Sequence, residues 1–360
     1  MSPAPKSESE TLSTELQYPL PTPPELGEAQ EIAPGVFWLR LPLPFVLNHV
    51  NVWLLADGDG WTLVDTGLKS SKIEALWRQI MSDHFGGKPL KRIIGTHFHP
   101  DHIGLAGWFE EHWQVPLWMT RLDWSMGRML QLDSRQNLPQ PVIDHFSRVG
   151  LSQAEVAEME AMGYANFGNR ISPIPMTFRR ISHGEELIIG NHIWRVVVGR
   201  GHTPEQACLY CDELGLLISG DQILPRITPM IGVYPSEPDA NPLLEFLHSL
   251  DRFKGLPADT LVLPSHDSPF VGVGPRIDKI RQHHRNRLDD IFGACAEPKT
   301  LRETVPYMFD REFTDGEIFM AVAEGLAHAN YLIDEGQLDR EMGADGAYRY
   351  RQAGKRAAAA

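Results

Sequence analysis

The chain has 360 residues, 42% of them hydrophobic, enough for one large domain with a smaller one and a substantial buried core. Lys and Arg number 33 against 47 Asp and Glu, a formal charge of -14, which argues against a general nucleic-acid binder because phosphate contacts need a basic face. Only Cys208, Cys211 and Cys295 occur as cysteines, too few for a disulfide framework, and no stretch is apolar for the length of a membrane span.

Residues 1–31 are rich in Pro, Ser and Glu, with one lysine and no apolar core of signal-peptide type. The expectation is a flexible arm on a soluble cytoplasmic protein. The terminal run 357–360 is set aside as alanine only. Residues 36–41, 49–56 and 61–64 are rich in β-branched and aromatic side chains and read as strands. Asp57-Gly58-Asp59-Gly60 between the last two is a hairpin signal, since glycine supplies the positive φ of a tight turn. After the turn Asp65-Thr66-Gly67, residues 72–85 carry Ile73, Leu76, Trp77, Ile80 and Met81 at helical spacing, and Gly86-Gly87 ends the helix. Residues 90–95 read as the next strand.

That strand delivers Thr96-His97-Phe98-His99-Pro100-Asp101-His102. The close spacing of donors and the interrupting Pro100 exclude a continuous helix, so the segment reads as a loop at a strand end. Such a loop turns several donors toward one point, and imidazole with carboxylate suits zinc, iron or manganese. A helix over 103–113 and a short strand over 116–119 follow. Residues 121–180 are mostly helical in pattern and Met-rich, with Met126, Met129, Met159, Met162 and Met176, and two readings stay open: adaptable core, or an insertion that roofs the site.

Strand signals return at 186–189, 193–199, 207–211 and 216–219, with a helix over 243–253 and a last strand over 260–263. Three more donors stand just after strands: His202 in Gly201-His202-Thr203-Pro204, Asp221 in Ser219-Gly220-Asp221, and His266 in Ser265-His266. Cys208 and Cys211 have zinc-knuckle spacing without a second pair, and on one strand their thiols point to opposite faces, so buried cysteines are the preferred reading. The other histidines, among them His49, His284 and His328, are read as surface or satisfied core residues. Residues 275–296, 300–308 and 315–336 then read as helices, with Thr300 and Thr314 or Asp315 as caps, and 338–342 and 347–351 as a hairpin. Helix, helix, hairpin is a winged-helix outline.

The ordered set His-x-His-x-Asp-His, Gly-His, Ser-Gly-Asp and Ser-His resembles the metallo-β-lactamase superfamily over residues 32–272 or so. The resemblance implies an α+β fold, a four-layer αββα sandwich over 32–274 with 121–180 as a helical insertion over the site, followed by a small winged-helix-like domain over 275–360. It also implies two divalent metal ions, zinc first, with iron or manganese as other occupants. Carried over, His97, His99 and His202 would hold the first ion, Asp101, His102 and His266 the second, and Asp221 would bridge them. Asp65 would support the ligand loop through hydrogen bonds. The implied chemistry is hydrolysis by a metal-bridging hydroxide, with Asp101 as the catalytic carboxylate.

Asp221 stands where antibiotic-cleaving enzymes of the superfamily carry cysteine, and His99 where flavodiiron proteins carry glutamate, so the hydroxyacylglutathione hydrolase and β-lactamase-like hydrolase side remains, and residues 321–333 resemble the helix that follows the catalytic domain in β-lactamase-like protein 2 relatives. Glu205 and Gln206 depart from the residues that follow Gly-His-Thr-Pro in many relatives. The expected substrate is a small acyl ester, thioester or lactone. A metal-dependent endoribonuclease or phosphodiesterase is the alternative, disfavoured because acidic residues outnumber basic ones even over 275–360. A homodimer is compatible with this outline.

Overall fold

The computed structural model describes residues 15–44, 47–310, 313 and 317–354. The first fourteen residues of the expected arm, the cap candidates Thr314 and Asp315, and the run 357–360 lie outside the described residues.

Two sheets form the middle of the molecule. The first contains β1 (Gln30–Ala33), β2 (Val36–Pro42), β3 (His49–Asp57), β4 (Gly60–Val64), β5 (Leu90–Ile94), β6 (Leu117–Met119) and β7 (Arg179–Arg180), adjacent in that order. Its first four strands are antiparallel and its last four parallel, with the β3–β4 turn at Gly58, φ +67°, as the Asp-Gly-Asp-Gly signal requires. The second sheet contains β8 (Glu186–Ile189), β9 (His192–Gly199), β10 (Gln206–Cys211), β11 (Leu216–Gly220), β12 (Leu261–Pro264) and β13 (Phe270–Val271), again adjacent in sequence order.

Period-two alternation decides the layers. Along β3, Val50, Val52 and Leu54 join one apolar cluster with Trp77 and Ile80 of α1 (Ser71–His84) and Phe109 of α3 (Ala106–Trp113), which follows the single turn α2 (Pro100–Ile103). The intervening Trp53 and Leu55 join another, with Trp194 and Val196 of β9 and Leu209 of β10, which fills the gap between the sheets. Trp38 and Trp53 stack there with ring centroids 6.2 Å apart. Cys208 and Tyr210 face outward from β10 onto a third cluster. The remaining helices are α4 (Arg121–Leu132), α5 (Gln140–Arg148) and α6 (Gln153–Ala161), between β6 and β7, and α7 (Pro242–Ser249), α8 (Val273–Ala294), α9 (Leu301–Met308) and α10 (Ile318–Asp334), and this third cluster takes Phe146 of α5, Phe246 of α7, Ile280 of α8 and Leu326 of α10. Helix, sheet, sheet, helix is therefore the order of layers, the expected αββα sandwich. Cys208 and Cys211 are free, buried and in different clusters, as the strand reading requires.

The C-terminal helices end in the hairpin β14 (Leu338–Met342) and β15 (Tyr348–Gln352), tied back by paired backbone bonds between Lys299 and Tyr350. Thr300 caps α9 in a reciprocal capping box with Glu303. The helices α8 to α10 share their apolar cluster with the outer face of the second sheet.

Three expectations need correction. Residues 15–31 are docked: Gln17 exchanges backbone hydrogen bonds with Val271, Leu20 packs against the inter-sheet cluster, and β1 begins at Gln30. The helix over 103–113 is broken at Gly104-Leu105, because the Leu105 N–H is donated to Thr66 Oγ1, and a Cβ on Gly104 would stand 2.6 Å from Gly67 O. The methionines of the 121–180 segment are not all adaptable core: Met159 is core, whereas Met129, Met162 and Met176 are exposed.

Candidate metal centre

All the donor-bearing loops leave one edge of the sandwich. The strands β5, β9, β11 and β12 end at Ile94, Gly199, Gly220 and Pro264, immediately before the residues of interest. Parallel pairing of β11 with β12 sets Gly220 opposite Pro264, so Asp221 and His266 emerge side by side. The Ala207 N–H donates to Thr96 O at 2.8 Å and brings the first loop against the second sheet.

Within the first loop, Pro100 opens α2 with His99 as the extended residue before it, and this turn carries Asp101 and buried His102. Asp65, φ +64°, accepts the Thr96 N–H on Oδ1 (2.8 Å) and the Thr96 hydroxyl on Oδ2 (2.8 Å), and Oδ2 also lies 2.8 Å from His102 Nδ1. Gly201, φ +96°, admits the close approach of α7, where a Cβ would meet Pro242 O at 2.4 Å, and so sets the bend before His202. His202 Nδ1 contacts Met230 O at 2.7 Å and His266 Nδ1 contacts His49 O at 2.9 Å. Each anchored Nδ1 leaves Nε2 of the same ring to face the site.

The seven predicted donors come together in two groups. Single donor atoms of His97, His99, His202 and Asp221 lie within 4.8 Å of one another, and so do those of Asp101, His102 and His266. Asp221 stands between them: Oδ2 is 3.4 Å from His202 Nε2, 3.6 Å from His102 Nε2 and 3.9 Å from His97 Nε2, while Oδ1 is 3.6 Å from His266 Nε2. Asp101 Oδ2 lies 3.6 Å from both His102 Nε2 and His266 Nε2.

These separations exceed ordinary hydrogen-bond lengths, and His97, His102, His266 and Asp221 are buried. His102 Nε2, His202 Nε2 and Asp221 Oδ1 have no hydrogen-bond partner. Orphaned buried polar atoms that converge from separate loops are costly unless something sits between them, and a cation that accepts nitrogen and oxygen donors fits that requirement. Electrostatics agree. Burial, reinforced by the imidazoles of His102 and His99, holds His97 well below the usual histidine range, and burial with His202 does the same to His99, so both are neutral donors. Burial alone would depress His102, but the carboxylates of Asp101, Asp221 and Asp65 outweigh it and raise this ring well above its ordinary value. Burial works against the charge on Asp221, yet His102 and His266 hold its carboxyl well below the usual range. The pocket thus favours a positive charge at its centre, which a bound metal ion would supply.

Further residues position the donors and were not picked out from the sequence. Asp123, at the start of α4 and fully buried, accepts the Phe98 N–H (3.2 Å) and the Glu205 N–H (2.6 Å), and so ties together two donor loops. Burial pushes its carboxyl up to about 6 despite hydrogen bonds from Thr203, Glu205 and Phe98. Asn51 of β3 donates from its side chain to Pro264 O and Asp267 O, both 2.8 Å, and its N–H donates to Ser265 O at 2.6 Å. An acid in the first turn of a predicted helix and an asparagine inside a predicted strand were the available signals. Gln206 is buried and donates to Ser219 O at 3.1 Å, while Glu205 accepts the Leu122 N–H on Oε2 at 3.3 Å; neither belongs to the two donor groups. Among the described residues no helix is long and apolar enough to cross a membrane.

Residues 46–266 match the family described as Metallo-beta-lactamase superfamily, and residues 288–353 match the one described as Metallo-beta-lactamase-like, C-terminal domain. A crystal structure of a beta-lactamase domain protein from Burkholderia ambifaria is 42% identical, with 94% of this chain and 98% of that one covered and a TM-score of 0.87. A probable metallo-hydrolase of Bacillus subtilis, YqjP, is 25% identical over 83% of this chain and 92% of its own length. The acyl-coenzyme A thioesterase MBLAC2 of Gallus gallus is 24% identical over 52% of this chain and 63% of its own.

Proposed function

The chain belongs to the metallo-beta-lactamase superfamily and is a metal-dependent hydrolase, and from that premise we propose that it cleaves a small acyl ester, thioester or lactone at a centre of two divalent ions. His97, His99 and His202 would hold one ion, Asp101, His102 and His266 the other, with Asp221 between them. Five imidazoles and two carboxylates suit zinc, and iron or manganese accept the same donors. Bound there, divalent ions supply Lewis acidity to a scissile carbonyl and lower the pKa of water toward neutrality.

The observation that carries this reading is the two-sided placement of Asp221, with one oxygen toward His97 and His202 and the other toward His266. Asp65 fixes the His102 ring through Nδ1 and so aims Nε2. The Asp101 side chain is 23% exposed against 10% for Asp221 and 0% for His102, so it is the carboxylate placed to pass a proton to solvent. The thioesterase named among the relatives supports the thioester arm, and the net charge of -14 weighs against a polyanionic RNA substrate.

Turnover of acyl-CoA, aryl ester and lactone substrates, assayed beside single-stranded RNA with elemental analysis of the same preparation, tests the proposal. The expected result is two equivalents of metal and hydrolysis of one acyl class, lost on chelation. RNA cleavage that disappears in Asp101→Ala protein, with no acyl turnover, would overturn it.

A further inference from the structure

We propose that the protein has an anion site apart from the metal centre, which takes a phosphate-class oxyanion in the cavity lined by Arg180, His183, Arg200 and Arg252. This cavity, about 260 Å³, is also lined by Thr120 and Glu205 and contains none of the seven residues of the two donor groups.

Its charge is the first argument. Three guanidinium groups face one carboxylate in a chain whose net charge is -14, so positive charge is concentrated where the sequence as a whole is acidic. The partners present leave that charge unbalanced. Arg200 Nη2 is 3.9 Å from Glu205 Oε1, beyond hydrogen-bond reach, and the buried Arg200 Nε has no acceptor. Arg252 donates Nη1 to Val198 O at 2.5 Å, a neutral partner. His183 accepts the Val198 N–H on Nδ1 at 3.2 Å, which places the proton of its neutral ring on Nε2 as one more donor.

Mutual repulsion is the second argument. Burial and then the charge on Arg200 lower the pKa of Arg252, and burial followed by Arg252 and Arg195 lowers that of His183. A dianion relieves this strain, and guanidinium forks match its tetrahedral oxygens. A bare oxyanion fills only part of the cavity, so a phosphoryl group on a small organic molecule fits as well.

The site is also connected to the metal centre. Arg200 and Glu205 flank His202 in sequence, and Thr120 holds Glu205 O at 2.6 Å, so an occupant that engages Arg200 bears on the loop that carries a donor. The chemistry common to both sources is the phosphoryl dianion, and adenosine monophosphate compared with adenosine separates an organic phosphate from the free ion.

Calorimetric titration of the full-length protein with inorganic phosphate at low ionic strength tests the proposal. Wild type is expected to show saturable binding that weakens about tenfold or more, a loss of about 1.4 kcal/mol or more, in Arg180→Ala/Arg252→Ala protein. Arg180 is exposed and Arg252 adds only its bond to Val198 O, so the double variant is expected to stay folded and melt no more than slightly below wild type, and His97→Ala protein is expected to keep the binding. Adenosine monophosphate that binds more tightly than phosphate, with adenosine silent, assigns the organic source; equal affinities assign the free ion. Absence of saturable heat in wild type, or an affinity unchanged in the double variant, or binding lost only in His97→Ala protein, would overturn the site.

Discussion

Asp65 holds His102 by a 2.8 Å contact between Oδ2 and Nδ1, and it does so from a left-handed backbone conformation at φ +64°. That conformation costs a non-glycine residue about 1–3 kcal/mol, and it persists because the same carboxylate also accepts the N–H and hydroxyl of Thr96. Asp65→Asn protein is therefore expected to bind metal about 10–100-fold more weakly, measured by competition with a chelator. An unchanged affinity would remove Asp65 from the support of the centre.

Among the described residues, Asp221 is the one carboxylate that faces both donor groups. Its replacement by alanine is expected to lower metal stoichiometry and to reduce turnover by about a hundredfold or more. Elemental analysis and steady-state kinetics on one preparation read both effects. Full stoichiometry in the variant would show that the two groups bind independently of this residue.

Asp123 contributes through the loops it joins. Alanine there would leave the Phe98 and Glu205 N–H groups without their acceptor, at a cost of about 1–3 kcal/mol for each. Thermal unfolding is expected at a lower temperature, and kcat is expected to fall with metal content retained. A variant that melts as wild type would show that water replaces the carboxylate.

A buried histidine pair sets a limit on acid stability away from the centre. His284 Nδ1 and His328 Nε2 are 3.1 Å apart, and both side chains are inaccessible to solvent. Burial lowers His284 to about 2 and His328 to about 4, in each case helped by neighbouring cations or imidazoles. Both folded-state values lie below the unfolded value near 6.5, so the unfolded chain binds more protons between them. Stability is complete above pH 6.5 and falls as pH drops from there toward 4, by about 1.4 kcal/mol per pH unit for each ring kept neutral. Chemical denaturation of wild type and His284→Gln protein over pH 8 to 5 is expected to show a shallower loss in the variant. Parallel curves would place the acid sensitivity elsewhere.

The convergence of these residues was legible because His97 to His102 crowd on one loop behind an apolar strand, and His202, Asp221 and His266 each follow such a strand beside glycine or serine, a local arrangement that survives any tertiary context. Strand alternation made the layers legible for the same reason, since Val50, Val52 and Leu54 can face only one side. What the sequence concealed depends on distant partners. Asp123 reads as an ordinary acid in a first helical turn until Phe98 and Glu205 are placed beside it. The break at Gly104 depends on Thr66 and Gly67 approaching from another segment. Strands β7 and β13, two residues each, are too short to carry a period.

Asn51 has a consequence for the order in which the molecule is assembled. Its side chain spans more than two hundred positions of sequence to hold the carbonyls that flank His266, so the last donor is fixed only when the second sheet has closed on the first. Contacts of such separation form late, after their loop-closure entropy has been met. During synthesis the loop 97–102 emerges well before the strand that brings His266. An ion captured early therefore rests on a partial cage, and full retention of metal becomes a sign that the chain has finished folding.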